Sequence, residues 1–317
     1  MYQTNEGGSF IYNIQESYLY LLLYFRDNVV YIRLLLIFLS LAAQAQPPAQ
    51  NPEAKQKALK RIQQAQSGGK SKHWPRIDPV LFYRNLQNNV DSPLYLNQGK
   101  PTYFCGYAAL THFMLLQDPE NYVARMIELY TTGSTRVTDK TLLSSERIQE
   151  AAGTLYNKGV MDINHADQMW FMVLSENYKG YLNLRDQSFD PGDENSFWAA
   201  TNFKKFNRML RSLTGLEVHA RGADLMGPVF LNYYRFCQDK NRDHTVLLYL
   251  NNKALYPNKF FRFILPTPTH FVVLYDIDRV DGYNVLDYWD YGLRTKMKLK
   301  KRKFRKLVYG ITYIKVK

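Results

Sequence analysis

The sequence has few cysteines and lacks the motifs that several large functional classes require. Its 317 residues include only Cys105 and Cys237, which is too few for a disulfide framework. No His-Glu-x-x-His or Cys-x-x-Cys pattern indicates a metal site, and no Gly-rich phosphate loop or Cys/His finger spacing is present. We therefore expect no metal and no cofactor, and the net charge of +13 alone does not favour a nucleic-acid partner.

Apolar runs long enough to cross a bilayer are also absent. Residues 34–41 are apolar but shorter than the roughly 20 residues that a spanning helix needs. They follow Arg33 and precede a small-x-small sequence ending at Ala45, an arrangement typical of a signal peptide cleaved after Ala45. We therefore expect a secreted or periplasmic protein.

The first thirty residues are unusual for a signal peptide. We expect the true start near residues 29–33, which makes 1–45 an over-extended signal-peptide region. A second apolar patch at 18–25 leaves an alternative open, in which two short segments associate the protein with a membrane through its N-terminus.

Composition then predicts a flexible linker at 46–73, with one helix over 53–66, followed by a folded domain at 74–317. Helical periodicity is followed by Val-, Ile- and Tyr-rich strands, which predicts an α+β fold with an antiparallel sheet. Helices are predicted at 105–117, 120–131, 144–157, 166–176, 202–213 and 228–239, and strands at 244–250, 270–277, 283–287, 293–299 and 307–316.

Cys105 is the candidate nucleophile. A loop leads into Cys105-Gly106, and small residues and an apolar helix follow. The N-terminus of a helix stabilises a thiolate and lowers the pKa of a cysteine there. The alternative is a buried structural cysteine on an amphipathic helix, which is also the interpretation we favour for Cys237.

A nucleophilic thiol needs a base, and the base needs an orienting group. Of the six histidines, His270 opens a predicted strand that is followed by a turn at Asp281-Gly282 and by a strand containing Asp287. Placing Asp287 beside His270 requires a longer loop or a bulge, and Asp290 is a rival orienting group. His112 lies two helical turns after Cys105 and is predicted to be a core residue.

These segments resemble papain-like cysteine peptidases, and in motif style the bacteriocin-leader-peptidase branch. The resemblance covers about 200 residues, an ordinary size for one domain, and is carried by Cys-Gly-x-Ala-Ala-Leu, Thr-His-Phe-Val-Val-Leu and Val-Leu-Asp-x-Trp. It implies a nucleophile helix packed on a C-terminal antiparallel sheet, with Cys105 as nucleophile, His270 as base, Asp287 as orienting acid and Gln98 as oxyanion donor. Gln98 is seven residues before Cys105, where the family usually has six. The implied substrate is a peptide, a protein or a peptidoglycan-type amide.

A basic run at 294–306 supports two further interpretations. Cations alternate with Leu293, Thr295, Met297 and Leu299, which predicts a strand with one solvent-exposed, basic face. Lysines often protect the edge of a sheet. Alternatively this face binds an anionic envelope polymer, which would make the protein a non-catalytic envelope-binding module.

Overall fold

The structure is a computed structural model that describes residues 50–315, except 100–101, 155–162, 179–188, 197, 225–226, 228–231 and 252–269. The described residues form nine α-helices and eight strands, which confirms the α+β class. The helices are α1 (Pro52–Ala65), α2 (Pro79–Asp91), α3 (Cys105–Gln117), α4 (Pro119–Thr132), α5 (Glu146–Ala151), α6 (His165–Asn177), α7 (Phe203–Thr214), α8 (Tyr233–Asn241) and α9 (Lys301–Leu307). The strands are β1 (Ser134–Arg136), β2 (Thr141–Leu143), β3 (Val218–Gly222), β4 (His244–Leu250), β5 (His270–Val280), β6 (Tyr283–Asp290), β7 (Leu293–Lys300) and β8 (Val308–Lys315).

Six strands form one antiparallel sheet in the order β3-β8-β4-β5-β6-β7, and β1 pairs with β2 separately. The turn between β5 and β6 is the predicted Asp281-Gly282 pair, and both residues have positive φ, at 51° and 76°. Positive φ at both central positions is the requirement of a tight type I′ hairpin turn. Within the β5–β6 pair the register shifts between Leu274 and Asp276.

Helix α3 is the centre of the fold. Every residue from Cys105 to Leu116 is buried, so α3 is surrounded by other elements on all sides. Gly106 brings α3 close to the sheet, because a Cβ at this position would collide with the Thr201 methyl and lie 3.2 Å from the Phe271 ring.

The core has two parts. The larger cluster includes α3, while the smaller one packs on the sheet beneath α8 and α9 and includes Cys237. Burial raises the pKa of the Cys237 thiol to about 12, so this cysteine stays a neutral core residue.

The described part of the segment predicted as a flexible linker, residues 50–73, belongs to the folded unit. The predicted helix over 53–66 is confirmed by α1, but the linker interpretation is wrong for this stretch. Ala58 and Ile62, which are four residues apart on one face of the helix, are buried in the larger core cluster. Trp74, which was expected to begin the domain, is buried and donates from Nε1 to the Leu129 carbonyl at 2.9 Å.

The predicted signal-peptide region, 1–45, lies outside the described residues. Among the residues that the structure describes, no helix combines the length and the apolar character that crossing a membrane requires.

Candidate active site

Cys105 is the first residue of α3, as the sequence predicts, and 6% of its surface is exposed. No side chain caps the helix at Phe104, the preceding residue. The helical hydrogen bonds begin with the Ala108 N–H and the Phe104 carbonyl, at 3.0 Å. The amides of residues 105–107 therefore come before that ladder, and they place the positive end of the helix dipole beside the thiol.

His270 is paired with Asp290, not with Asp287. The Nε2 atom of His270 lies 2.6 Å from Oδ1 of Asp290, and both side chains are almost fully buried, at 1% and 2% exposure. His270 opens β5 and Asp290 closes β6, so the antiparallel pairing brings the two residues to the same end of the sheet. The ring of Tyr291 stacks on His270, with centroids 4.7 Å apart.

The expectation that Asp287 orients His270 is wrong. Asp287 lies opposite Asp276, three residues inside β6, which is about 10 Å along a strand from Asp290. Its carboxylate instead accepts two hydrogen bonds from Arg294, at 2.8 and 2.7 Å. The bulge between β5 and β6 absorbs a single residue, which is not enough to bring Asp287 level with His270.

Opposing effects set the charge of His270. Burial lowers its pKa, but the Asp290 carboxylate raises it through charge and a hydrogen bond, and the neighbouring Cys105 side chain acts in the same direction. The net result is a pKa of about 10, so His270 is an imidazolium at neutral pH. Its Nδ1 is buried and has no hydrogen-bond partner among the described residues. This ring nitrogen is therefore the one available to the Cys105 thiol.

Gln98 lies in the loop that leads to Cys105. Its side chain is buried at 1% exposure, and neither amide atom has a hydrogen-bond partner among the described residues. An unpaired buried polar group costs about 1–3 kcal/mol, so a native structure keeps one only where water, an ion or a functional role accounts for it. Thr102 closes the loop, because its hydroxyl donates to the Gln98 carbonyl at 2.6 Å. The role of Gln98 as an oxyanion donor stays a prediction.

The Gln98 loop is fixed to the turn that follows Asp290. Trp289 donates from Nε1 to the Leu94 carbonyl at 2.9 Å, and Asn97 donates from Nδ2 to the Tyr291 carbonyl at 3.2 Å. At Gly292, where φ is +76°, a Cβ would lie 3.1 Å from the Leu96 carbonyl oxygen. These contacts hold the loop before the nucleophile and the turn after the acid together as one unit.

Two other histidines, His112 and His244, have partners of their own. His112 is buried between the Pro93 carbonyl, 2.9 Å from Nδ1, and the Tyr275 hydroxyl, 2.7 Å from Nε2. Burial lowers the pKa of His112 to about 3, so it is neutral, and its prediction as a core residue is confirmed. His244 is at the other end of β4 from Leu250, the partner of His270, which separates the two histidines by about 20 Å along the strand.

No protein-family model matches the chain, and no curated protein is significantly similar to it. The likeness to papain-like peptidases therefore stays a likeness of short motifs. We therefore infer its function from the geometry of Cys105, His270 and Asp290.

Proposed function

We propose that this protein is a cysteine hydrolase that cleaves a peptide or amide bond through an acyl-thioester on Cys105. The observation that carries this proposal is the buried His270, which Asp290 holds through Nε2 while its other ring nitrogen is left for the thiol at the start of α3. A nucleophile, a base and an orienting acid in this arrangement supply the groups that acyl transfer needs.

In the acylation step, the Cys105 thiolate attacks the carbonyl carbon of the substrate, and negative charge develops on the carbonyl oxygen. The Cys105 backbone N–H and the Gln98 side-chain amide are the donors that we assign to this oxygen. The C–N bond then breaks, and the His270 imidazolium gives its Nδ1 proton to the leaving nitrogen. The products of this step are a free amine and a thioester on Cys105.

In the deacylation step, water attacks the thioester while neutral His270 accepts a proton from that water. The C–S bond breaks, which releases the carboxylic acid and restores the thiolate and the imidazolium. The task of Asp290 in both steps is to hold the ring orientation and to stabilise the positive charge on His270.

The alternative hypothesis is a non-catalytic envelope-binding module. Such a binder has no need for a buried imidazolium between a carboxylate and a thiol. The paired His270 and Asp290 therefore favour the enzyme.

The substrates we propose are peptides, proteins or peptidoglycan-type amides, encountered after export from the cytoplasm. We expect N-terminal sequencing of the exported protein to begin near Gln46, because Ala45 ends the cleavage sequence. Protein recovered with residues 1–43 still attached would contradict this prediction and favour the membrane-anchored alternative.

Replacing the base tests the catalytic proposal. With a fluorogenic amide selected from a peptide library, we expect His270→Ala to lower kcat/KM by at least about 10²-fold, because the variant loses its proton donor and acceptor. His244→Ala is the matched control, since this residue also opens a strand and has its own partner, Asp243, 2.6 Å from Nδ1. A larger loss of kcat/KM for His244→Ala than for His270→Ala would overturn the assignment.

A further inference from the structure

The positive charge of the protein is concentrated in one short segment. Of the 41 Lys and Arg residues, 11 lie within 293–317, which contains no Asp or Glu. The remaining residues carry 30 cations against 28 acids and are almost neutral. The net charge of the chain is therefore a property of this segment.

Three of the four cations of β7 have carboxylate partners. β7 is the last strand of the sheet, and Asp287 pairs with Arg294 at 2.7 Å and with Lys296 at 3.8 Å. Lys298 lies 3.6 Å from Asp281. These pairs support the interpretation that the charges of β7 protect a sheet edge.

The last cation of β7, Lys300, and the cations of α9 differ from these three. We call them the basic ridge, and they are Lys300, Lys301, Arg302, Lys303, Arg305 and Lys306. All six are exposed, and within the described part of the chain no carboxylate forms an ion pair with any of them. Between them, Phe304 and Leu307 are buried in the smaller core cluster and fix α9 to the sheet. The ridge is therefore a rigid array of mutually repelling charges, and an anionic ligand would relieve that repulsion without ordering the helix.

We propose that the basic ridge binds an extended polyanion with repeating phosphate groups. Successive residues of a helix are rotated by 100°, so the cations of α9 occupy every side except the one that Phe304 and Leu307 bury. A flat lipid surface would reach only some of these cations, whereas a flexible chain can follow them around the helix. No apolar side chain of α9 is exposed for insertion into a bilayer.

The ridge is separate from the candidate active site. Lys300 pairs with Tyr283 at the start of β6, and Asp290 is at the end of the same strand. At about 3.4 Å per residue, roughly 24 Å of strand separates the two ends. The ridge therefore serves to hold the protein on a polymer, and this inference does not depend on the proposed hydrolase activity.

Fluorescence anisotropy with labelled long-chain inorganic polyphosphate tests the inference. We expect wild-type protein to bind at low salt and to lose affinity as salt is added, because screening weakens exposed charges. The variant Arg302→Glu/Lys303→Glu/Lys306→Glu should bind at least about tenfold more weakly, because it reverses half of the ridge. The control variant, Lys60→Glu/Lys70→Glu/Lys72→Glu, changes the net charge by the same amount as the ridge variant. Its three exposed positions are distant from the ridge in the sequence, and it should keep most of the affinity.

An equal loss in both variants, no polyphosphate binding by the wild type, or preferential binding to phosphatidylglycerol vesicles would overturn the inference. If the Glu variant fails to fold, as judged by circular dichroism, the milder Arg302→Gln/Lys303→Gln serves in its place and should also bind more weakly than wild type. Because the ridge is distant from Cys105, amide hydrolysis should be unchanged in either ridge variant. The binding and catalytic proposals can therefore fail independently.

Discussion

The Cys105→Ala variant should have no detectable amide hydrolysis while remaining folded. The substitution removes the attacking atom but only a small volume, so the free energy of unfolding should fall by about 1 kcal/mol. Activity measurements and a denaturant titration on the same protein check the two halves of this prediction.

Cys237→Ala is the matched control, because Cys237 is the other cysteine and is completely buried in the smaller core cluster. It should lose stability and keep its activity. Full hydrolysis by Cys105→Ala would contradict the cysteine-hydrolase proposal, and the basic ridge would then be the leading functional feature.

Asp290→Asn should lower kcat by about 10² to 10⁴-fold, because an amide cannot stabilise the imidazolium as a carboxylate does. Asp287→Asn makes the same chemical change three residues away, where the carboxylate accepts from Arg294. This control should keep most of the activity. If Asp287→Asn were the more damaging variant, Asp290 would not be the positioning residue.

The pH dependence of the free energy of unfolding is a second test of Asp290, and a purely structural role would not change it. The pKa of His270 is raised to about 10 in the folded protein, above its ordinary value of about 6.5 when unfolded. The stabilisation that this produces is complete below about pH 6.5 and is lost as the pH rises towards about 10. Removing the Asp290 charge removes the main cause of the raised pKa, so the decline between these two pH values should be smaller in Asp290→Asn. An unchanged decline, measured by denaturant titration at several pH values, would contradict the pairing.

Continuous apolar runs with clear ends explain why much of the fold could be predicted from the sequence. The helix starting at Cys105 has the predicted bounds, and the strand beginning at His270 starts where expected. Each segment begins and ends where the apolar pattern of the sequence changes, and its apolar side chains are buried in the core.

The orienting acid was misassigned, although the hairpin contained the information needed. Val280 faces Tyr283 across the Asp281-Gly282 turn, so each step back along β5 is matched by one step forward along β6. Counted in this way, the position opposite His270 lies just beyond the end of β6. Asp290, the last residue of β6, is therefore the nearest acid. The motif Val-Leu-Asp-x-Trp favoured Asp287 because it resembles the corresponding segment of papain-like peptidases. The strand register instead brings Asp290 to the same end of the sheet as His270.

Three segments were misjudged for different reasons. The helix of α1 was predicted, but its polar composition led to the linker interpretation, since Ala58 and Ile62 are its only buried residues. Helix α2 was not predicted, although Asp78 caps it by accepting from the Leu81 N–H at 3.0 Å. Helix α9 continues the basic run of β7, and only the spacing of Phe304 and Leu307 indicates the change from strand to helix.

Alkylation of the two cysteines tests most directly the claim that His270 activates Cys105 as a nucleophile. The protein would be treated with iodoacetamide at neutral pH, and the modification of each cysteine would be followed by peptide mass mapping. We predict that Cys105 is modified much faster than Cys237 in the wild type, because an imidazolium lies beside Cys105 and burial keeps Cys237 neutral. In His270→Ala the rate at Cys105 should fall. Equal rates at the two cysteines, or a Cys105 rate that does not respond to the loss of His270, would contradict the account.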